Sequence, residues 1–482
     1  MNERRLPMSA LDGYPPADSA GIQSALRAAL ARFERKIVVL DDDPTGVQTV
    51  HDVCVYTDWK EDTLLEAFRA PERMFFILTN SRGFSRERTE AEHAAMARAI
   101  ARAARETAQD FVVISRSDST LRGHYPLETQ VLRSVLEEQI GQKYDGEILI
   151  PFFKEGGRYT LDDVHYVAMN GELTPAGQTE FARDRTFGYR ASNLKEYIEE
   201  KHGGAIRAGD VASVPLELLR RGDAEGVARI LASVHDFGKV VVNAIDYSDV
   251  EVFALGFIEA VTSGKRFLFR SAAAVTKVLG GVGDRPLLSG RELRDPDNRN
   301  GGLIIVGSHV QKTTLQLDFL KRRCPIEFIE FDVRTVNDES AFANERARVL
   351  CQEEKALREG RTAAVYTSRT RLDANTGNAE DDLRLSLRIS DAVTGFVRDL
   401  TLRPRFILAK GGITSSEIGT AALKVKKARV MGQILPGIPV WQTGAESKFP
   451  GLPYVIFPGN VGGEDALYEA VMKLNGKEET LS

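Results

Sequence analysis

KIVVLDDDPTG, residues 36–46, decides the fold class. Its aliphatic run, Ile37 to Leu40, reads as a short buried strand that stops abruptly in carboxylates, a proline and a glycine. The same phrase recurs: MFFIL (74–78) runs into Thr79, FVVIS (111–115) into Arg116, EILI (147–150) into Pro151 and KVVVN (239–243) into Ala244. Helical stretches, Arg86 to Gln109 and Leu127 to Gln139, lie between several of them. Strands alternating with helices predict right-handed crossovers and a largely parallel sheet.

Further along, DRPLLSGRELRDPDNRNGG (284–302) is polar and rich in proline and glycine, and the strand LIIVG (303–307) follows it. The alternation then resumes through IEFIEF, AAVYTS, RFILAKGG, ARVMGQI and YVIFPGN, with a helix expected from Glu339 to Glu359. The expectation is therefore an α/β protein of two domains, residues 1–285 and 303–482, joined by a linker at 286–302. Each is expected to be a largely parallel sheet flanked by helices. The first ~20 residues, rich in Pro, Ala and Asp, read as a loose arm ahead of a helix at 21–34.

Composition narrows the function classes. The 482 residues are 43% hydrophobic and 28% charged with a net charge of -5, an ordinary globular balance. Lysines and arginines are dispersed rather than clustered, so no nucleic-acid partner is expected. No stretch approaches the ~18 apolar residues of a membrane span, so no membrane partner is expected either. Cys54, Cys324 and Cys351 are odd in number and far apart, which suits reduced thiols and a cytoplasmic location. No HxxxH, HExxH or CxxC spacing offers a zinc site.

In parallel α/β sheets chemistry collects just after the carboxyl ends of strands. There the chain places Asp41, Asp42 and Asp43, then TNSRGFS with Arg82, then RSDSTLRG with Arg116, Asp118, Ser119, Thr120 and Arg122, then PFFKEGGRYT with Lys154 and Arg158. Carboxylates can read hydroxyls, accept a proton or hold Mg2+, and arginine forks match a carboxylate. Any one of the aspartates could equally cap the next helix, and Asp118 could pair with a neighbouring arginine. The second half has neither GxxxxGK[ST] nor GxGxxG. It has instead GGITSS after RFILAK and PGNVGG after YVIF, glycine turns whose backbone N–H groups can approach a phosphate, with VGSHVQKTT (306–314) as a third such turn.

With these residues in view, the chain resembles the four-carbon acid sugar kinase family, formerly a family of unknown function. Its DDxTG signature is matched by Asp42-Asp43-Pro44-Thr45-Gly46 and its D-S-T-x-R-G signature by Asp118 to Gly123. The T-x-F-A-x-D segment is matched through Thr179, Phe181, Ala182 and Asp184. The family's GG-x-T-S turn is similar to Gly411-Gly412-Ile413-Thr414-Ser415, and its S-G-N-x-G turn to Pro458-Gly459-Asn460-Val461-Gly462. Two elements depart: G-S-x-S becomes Gly307-Ser308-His309-Val310, and G-S-A-G becomes Arg270-Ser271-Ala272-Ala273. The chain is also longer than typical members.

The resemblance implies an N-terminal acid-sugar-binding domain, a C-terminal nucleotide-binding domain and an active site in the interdomain cleft. It implies ATP and Mg2+ as cofactors and a threonate, erythronate or 3-oxotetronate type of substrate; a homo-oligomer is left open. On this reading Asp43, Asp42 and Asp118 are catalytic, with Asp43 the first choice of general base. Arg82, Arg116, Ser119, Thr120, Arg122, Lys154 and Arg158 bind substrate. Ser308, Gly411, Gly412, Ile413, Thr414, Gly459, Asn460 and Gly462 bind nucleotide. Two alternatives stand beside it: a haloacid-dehalogenase-type phosphohydrolase reading D-x-D-x-T through Asp41, Asp43 and Thr45, and a non-catalytic nucleotide or sugar-acid sensor.

Overall fold

The protein is described from a computed structural model, covering residues 3–14, 18–369 and 379–477. It divides into two compact units, Met1–Asp284 and Arg285–Ser482.

The strands of the first unit are β1 (Leu6–Pro7), β2 (Lys36–Asp41), β3 (Cys54–Tyr56), β4 (Met74–Leu78), β5 (Phe111–Arg116), β6 (Gly146–Ile150), β7 (Arg158–Leu161), β8 (Val164–Met169), β9 (Glu172–Pro175), β10 (Ala212–Val214), β11 (Gly238–Val242) and β12 (Phe267–Ser271). The main sheet runs β10-β11-β6-β12-β5-β2-β4-β3, and each neighbouring pair is parallel. Every residue of β2, β4, β5 and β6 is buried, because helices cover both faces. Val38 and Leu40 pack in one layer with Met96, Ile100 and Leu132 from the helices Arg86–Thr107 and Leu127–Ile140. Each such side chain contributes about 1.5–3 kcal/mol by leaving water. The first of these helices is started by Ser85, whose side chain accepts the backbone N–H of Arg88 at 3.2 Å, and ends at Ala108 in the left-handed region.

Two features differ from the sequence reading. A small antiparallel sheet, β1-β9-β8-β7, follows the main-sheet strand β6. The expected loose arm is tied to it: β1 pairs with β9, and the Glu3 carboxylate accepts the backbone N–H groups of Ser192 at 2.7 Å and Asn193 at 2.8 Å. A polar, proline-containing segment is thus held by backbone pairing rather than by a hydrophobic pattern.

The second unit contains β13 (Leu303–Val306), β14 (Glu327–Phe331), β15 (Ala363–Thr367), β16 (Ile407–Lys410), β17 (Lys427–Leu435), β18 (Ile438–Thr443) and β19 (Pro453–Phe457), in the order β17-β18-β19-β16-β13-β15-β14. The stretch from β19 to β14 is parallel, whereas β17-β18 and β18-β19 are antiparallel. Residues 286–302, expected as a linker, are part of this unit. Leu288 and Leu293 are fully buried in its core with Val306, Leu408 and Val455. The Leu288 N–H donates to the Gln433 carbonyl at 2.8 Å, and the Asn300 side chain to the Arg403 carbonyl at 2.8 Å. Among the described residues no helix is long and apolar enough to cross a membrane.

Candidate functional site

Because β5, β2 and β4 are parallel neighbours, the loops after them leave the same end of the sheet side by side. The chain passes from β2 to β3 and β4 on one flank and then crosses to β5 on the other, the kind of strand-order reversal at which α/β proteins bind ligands. Asp42, buried, is the hub. It accepts from Arg82 Nη2 at 2.7 Å and Nε at 3.3 Å and from Ser117 Oγ at 2.7 Å, and Arg116 Nη1 lies 3.8 Å away. Asp43 accepts from Arg82 Nη1 at 3.3 Å and from the N–H and hydroxyl of Thr45 at 2.9 and 2.6 Å. Asp41 accepts from Arg116 Nη1 at 3.2 Å. Glycine at 46 is required by this packing, since a Cβ there would stand 1.9 Å from the Asp41 carboxylate.

Asp41 and Asp43, each facing a guanidinium group, titrate unequally. Burial pushes Asp41 up to about 7, with Arg116 opposing and Asp42 and Asp43 adding to the rise. Burial acts the same way on Asp43, but Arg82 and the Thr45 hydrogen bonds outweigh it and hold the carboxyl below its usual range. Asp43 is the more accessible of the two and stays ionised.

The loop after β5 forms a second cluster. Asp118 accepts from Arg122 Nε at 2.7 Å and from the Thr120 hydroxyl, and although burial opposes it, Arg82 and Arg122 hold its carboxyl far below the ordinary range. Arg122 and Arg158 both lie over the Phe181 ring, 5.1 and 5.6 Å from its centroid, and Arg122 reaches Asp184 at 3.9 Å. The Arg158 Nε is buried without a hydrogen-bond partner among the described residues. The loop backbone is pinned from below. His165 bonds the Ser119 carbonyl at 2.8 Å, Tyr189 the Thr120 carbonyl at 2.6 Å and Tyr197 the Leu121 carbonyl at 2.8 Å. Arg270, the first residue of the departed G-S-A-G element, donates to the Arg122 carbonyl at 2.7 Å and is itself buried.

Some expected substrate contacts are turned inward. Arg116 and Thr120 are only 4% and 1% exposed and are spent on Asp41 and Asp118, so they balance charge and shape the loop. Ser119 is also buried. Lys154 is exposed but pairs with Asp246 after β11, on the side of β6 away from β12 and β5. Asp42, Asp43, Arg82, Asp118 and Arg122 come together as a connected set, and Arg158 joins through Phe181.

In the second unit the loops after β13, β16 and β19 converge in the same way. A Cβ on Gly307 would meet the Thr414 hydroxyl at 2.4 Å, one on Gly411 would meet Ser308 Cβ at 3.0 Å, and one on Gly459 would meet Ser308 Oγ at 3.1 Å. Gly411 has φ 122° and ψ 141°, backbone in practice confined to glycine. Gly412, Ile413 and Thr414 open the helix Gly412–Glu417, which passes into a π-helical turn, Ile418–Ala422. Ile413 is 74% exposed. Asn460 and Gly462 lie at the open rim of the β19 turn.

Three residues not singled out from sequence brace these turns. Thr313 Oγ1 donates to the Gly459 carbonyl at 3.1 Å, and the Gln316 amide donates to Val461 and Gly463 carbonyls at 3.0 and 2.7 Å. Lys410 is fully buried, donates to the Pro458 carbonyl at 2.6 Å and lies 3.8 Å over the Phe457 ring. Burial, reinforced by Lys312, lowers its amine to about 6. The signal in sequence was only a lysine ending an apolar run.

Among the described residues no three His, Cys, Asp or Glu side chains are grouped to hold a metal ion. Asp41, Asp42 and Asp43 face arginines, so the donor set does not fit a cation held by protein alone. Asp41, 2% exposed and paired with Arg116, also lacks the open face that a phosphohydrolase nucleophile needs.

Residues 37–279 match a family model described as a sugar-binding N-terminal domain, and residues 303–467 one described as a nucleotide-binding C-terminal domain. Among solved structures the chain is similar to a Salmonella typhimurium LT2 protein provisionally named a tRNA synthase, at TM-score 0.65 and 16% identity over 90% of this chain and 98% of that one. It is also similar to a Haemophilus influenzae protein of the DUF1537 family, at TM-score 0.61 and 16% identity over 91% of this chain and 100% of that one. At such identities the likeness shows the fold. No curated protein matches the chain by sequence.

Proposed function

Because this chain belongs to the four-carbon acid sugar kinase family, we propose that it transfers the γ-phosphoryl group of ATP to a hydroxyl of a small acid sugar, of the threonate, erythronate or 3-oxotetronate type. The observation that carries the reading is the split of chemistry within one chain. One unit gathers ionised carboxylates beside guanidinium groups, suited to a polyhydroxy acid, and the other gathers closely packed glycine turns suited to phosphates.

On this reading Arg122 and Arg158, flanking Phe181, hold the substrate carboxylate, the spare Arg158 N–H being one donor. Asp118, Asp42 and Arg82 orient the hydroxyls and Asp43. Asp43 accepts the proton of the attacking hydroxyl as its oxygen bonds to the γ-phosphorus and the bond to the ADP oxygen breaks. Ser308, Gly411 to Thr414 and Gly459 to Gly462 take the nucleotide phosphates. Mg2+ would arrive with those phosphates, since the described residues offer no cage for it.

The test is a panel of four- to six-carbon sugar acids with ATP, scoring ADP and free phosphate in parallel. ADP formed together with a phosphorylated acid is expected. Phosphate released from phosphoesters without ATP would favour a hydrolase, and binding without turnover a sensor.

A further inference from the structure

Unit two has a second charged feature at the end of its sheet opposite the glycine turns. Arg299 precedes β13 and Arg405 precedes β16, whereas Gly307 and Gly411 follow those same strands. There Arg291, Arg294, Arg299 and Arg405 line a cavity of about 570 Å³ together with Asp295 and Asn298. Asp295, the carboxylate in that lining, lies 3.9 Å from a fifth arginine, Arg403. None of the four lining arginines has an acidic partner within 4 Å among the described residues. The Asn298 amide is spent on the Pro404 carbonyl at 3.0 Å, and the Arg294 Nε on the Gly290 carbonyl at 2.7 Å.

Four arginines against one carboxylate, Asp295, leave an excess of positive charge around one hollow, and its cost falls on Arg405 in particular, since Arg291, Arg294 and Arg299 are exposed. Arg405 is half-buried, and burial followed by repulsion from Arg294 and Arg299 lowers its affinity for its proton. Glu292 and Asp297 alternate with these arginines in sequence but do not line the hollow, whose charged groups are Asp295 and the four arginines. These converge from two segments more than 100 positions apart in the chain, 291–299 and 405. Several guanidinium forks around one hollow match a ligand with several phosphate oxygens, which a single carboxylate could not satisfy.

We propose that this cavity is a binding site for a small multivalent phosphate, separate from the nucleotide turns and independent of the activity assigned above. The shared chemistry covers inorganic pyrophosphate and a sugar bisphosphate, and titrating both tells the two sources apart.

The full-length protein is titrated calorimetrically with pyrophosphate and with a sugar bisphosphate at constant ionic strength, beside Arg299→Gln/Arg405→Gln. Affinity for at least one is expected to fall at least about tenfold in the double variant, the loss of one to two charge-assisted contacts. Arg405→Lys, which keeps charge but not the fork, is expected to fall between. Should the double variant not fold, Arg291→Gln/Arg299→Gln changes only exposed side chains and serves the same comparison. Equal affinity in wild type and variant, which would assign the binding to the nucleotide turns, overturns the proposal, as does absence of binding to the wild type.

Discussion

Asp41 and Asp43 stand two residues apart and answer pH in opposite ways. The carboxyl of Asp41 titrates near 7 in the folded chain and near the ordinary carboxylate value when unfolded, so the fold holds an extra proton between about 4 and 7. Stability from this group is therefore full below about pH 4 and is lost as pH rises through 7, by at most about 4 kcal/mol. Asn at 41 keeps the shape without the proton. Urea unfolding at pH 5 and pH 8 should show wild type losing more stability than Asp41→Asn over that interval; parallel losses would show that Asp41 titrates normally. For Asp43 the expected effect is on rate. Asp43→Asn should lower kcat by about 10²–10⁴-fold, the range for a lost general base, beside a modest fall in unfolding midpoint from the lost Arg82 pairing; unchanged turnover would remove Asp43 from that role. The run of three aspartates was plain in sequence, but which of them is buried was not. That depends on Gly46 and Arg116 closing over Asp41, contacts that the order of letters does not carry.

The strands of the parallel sheets were legible because burial on both faces leaves an unbroken apolar run ended by a polar turn, as in KIVVLD. β18, IPVWQT, and the hairpin strands β7 to β9 were not, since they mix polar and apolar residues and owe their pairing to neighbours. The glycine turns were legible as turns, while their convergence required the adjacency of β13, β16 and β19. Lys410 illustrates the gap: its partner, the Pro458 carbonyl, is 48 residues away and becomes a neighbour only through the β16-β19 pairing. Gly411→Ala tests the turn as an element. The new Cβ would sit 3.0 Å from Ser308 Cβ on backbone that suits glycine alone, so a loss of about 1–3 kcal/mol is expected, read from urea unfolding. Under the proposed function the KM for ATP should rise with little change in the KM for the sugar acid. A rise confined to the sugar acid would detach this turn from the nucleotide.

Residues 285–302 carry the lesson of the whole molecule. Their composition is that of a linker, with prolines, glycines and charges crowding out any periodic pattern, yet Leu288 and Leu293 are wholly buried in the core of the second unit. Three leucines in eighteen residues leave no repeat to detect, although Leu288 and Leu293 each fill a defined space. The two tryptophans allow this to be tested unit by unit, since Trp59 belongs to the first unit and Trp441, buried, to the second. In a Trp59→Phe background, Trp441 fluorescence reports the second unit alone. Leu293→Ala should then lower the stability of that transition by about 2–5 kcal/mol, the cost of a cavity in a packed core. Trp59 fluorescence in the otherwise native chain carrying Trp441→Phe and Leu293→Ala should follow the first unit's transition, matching that of Trp441→Phe alone. A linker leucine would leave both transitions where they were, and a shift of the Trp59 signal as large as that of Trp441 would mean that the units unfold as one.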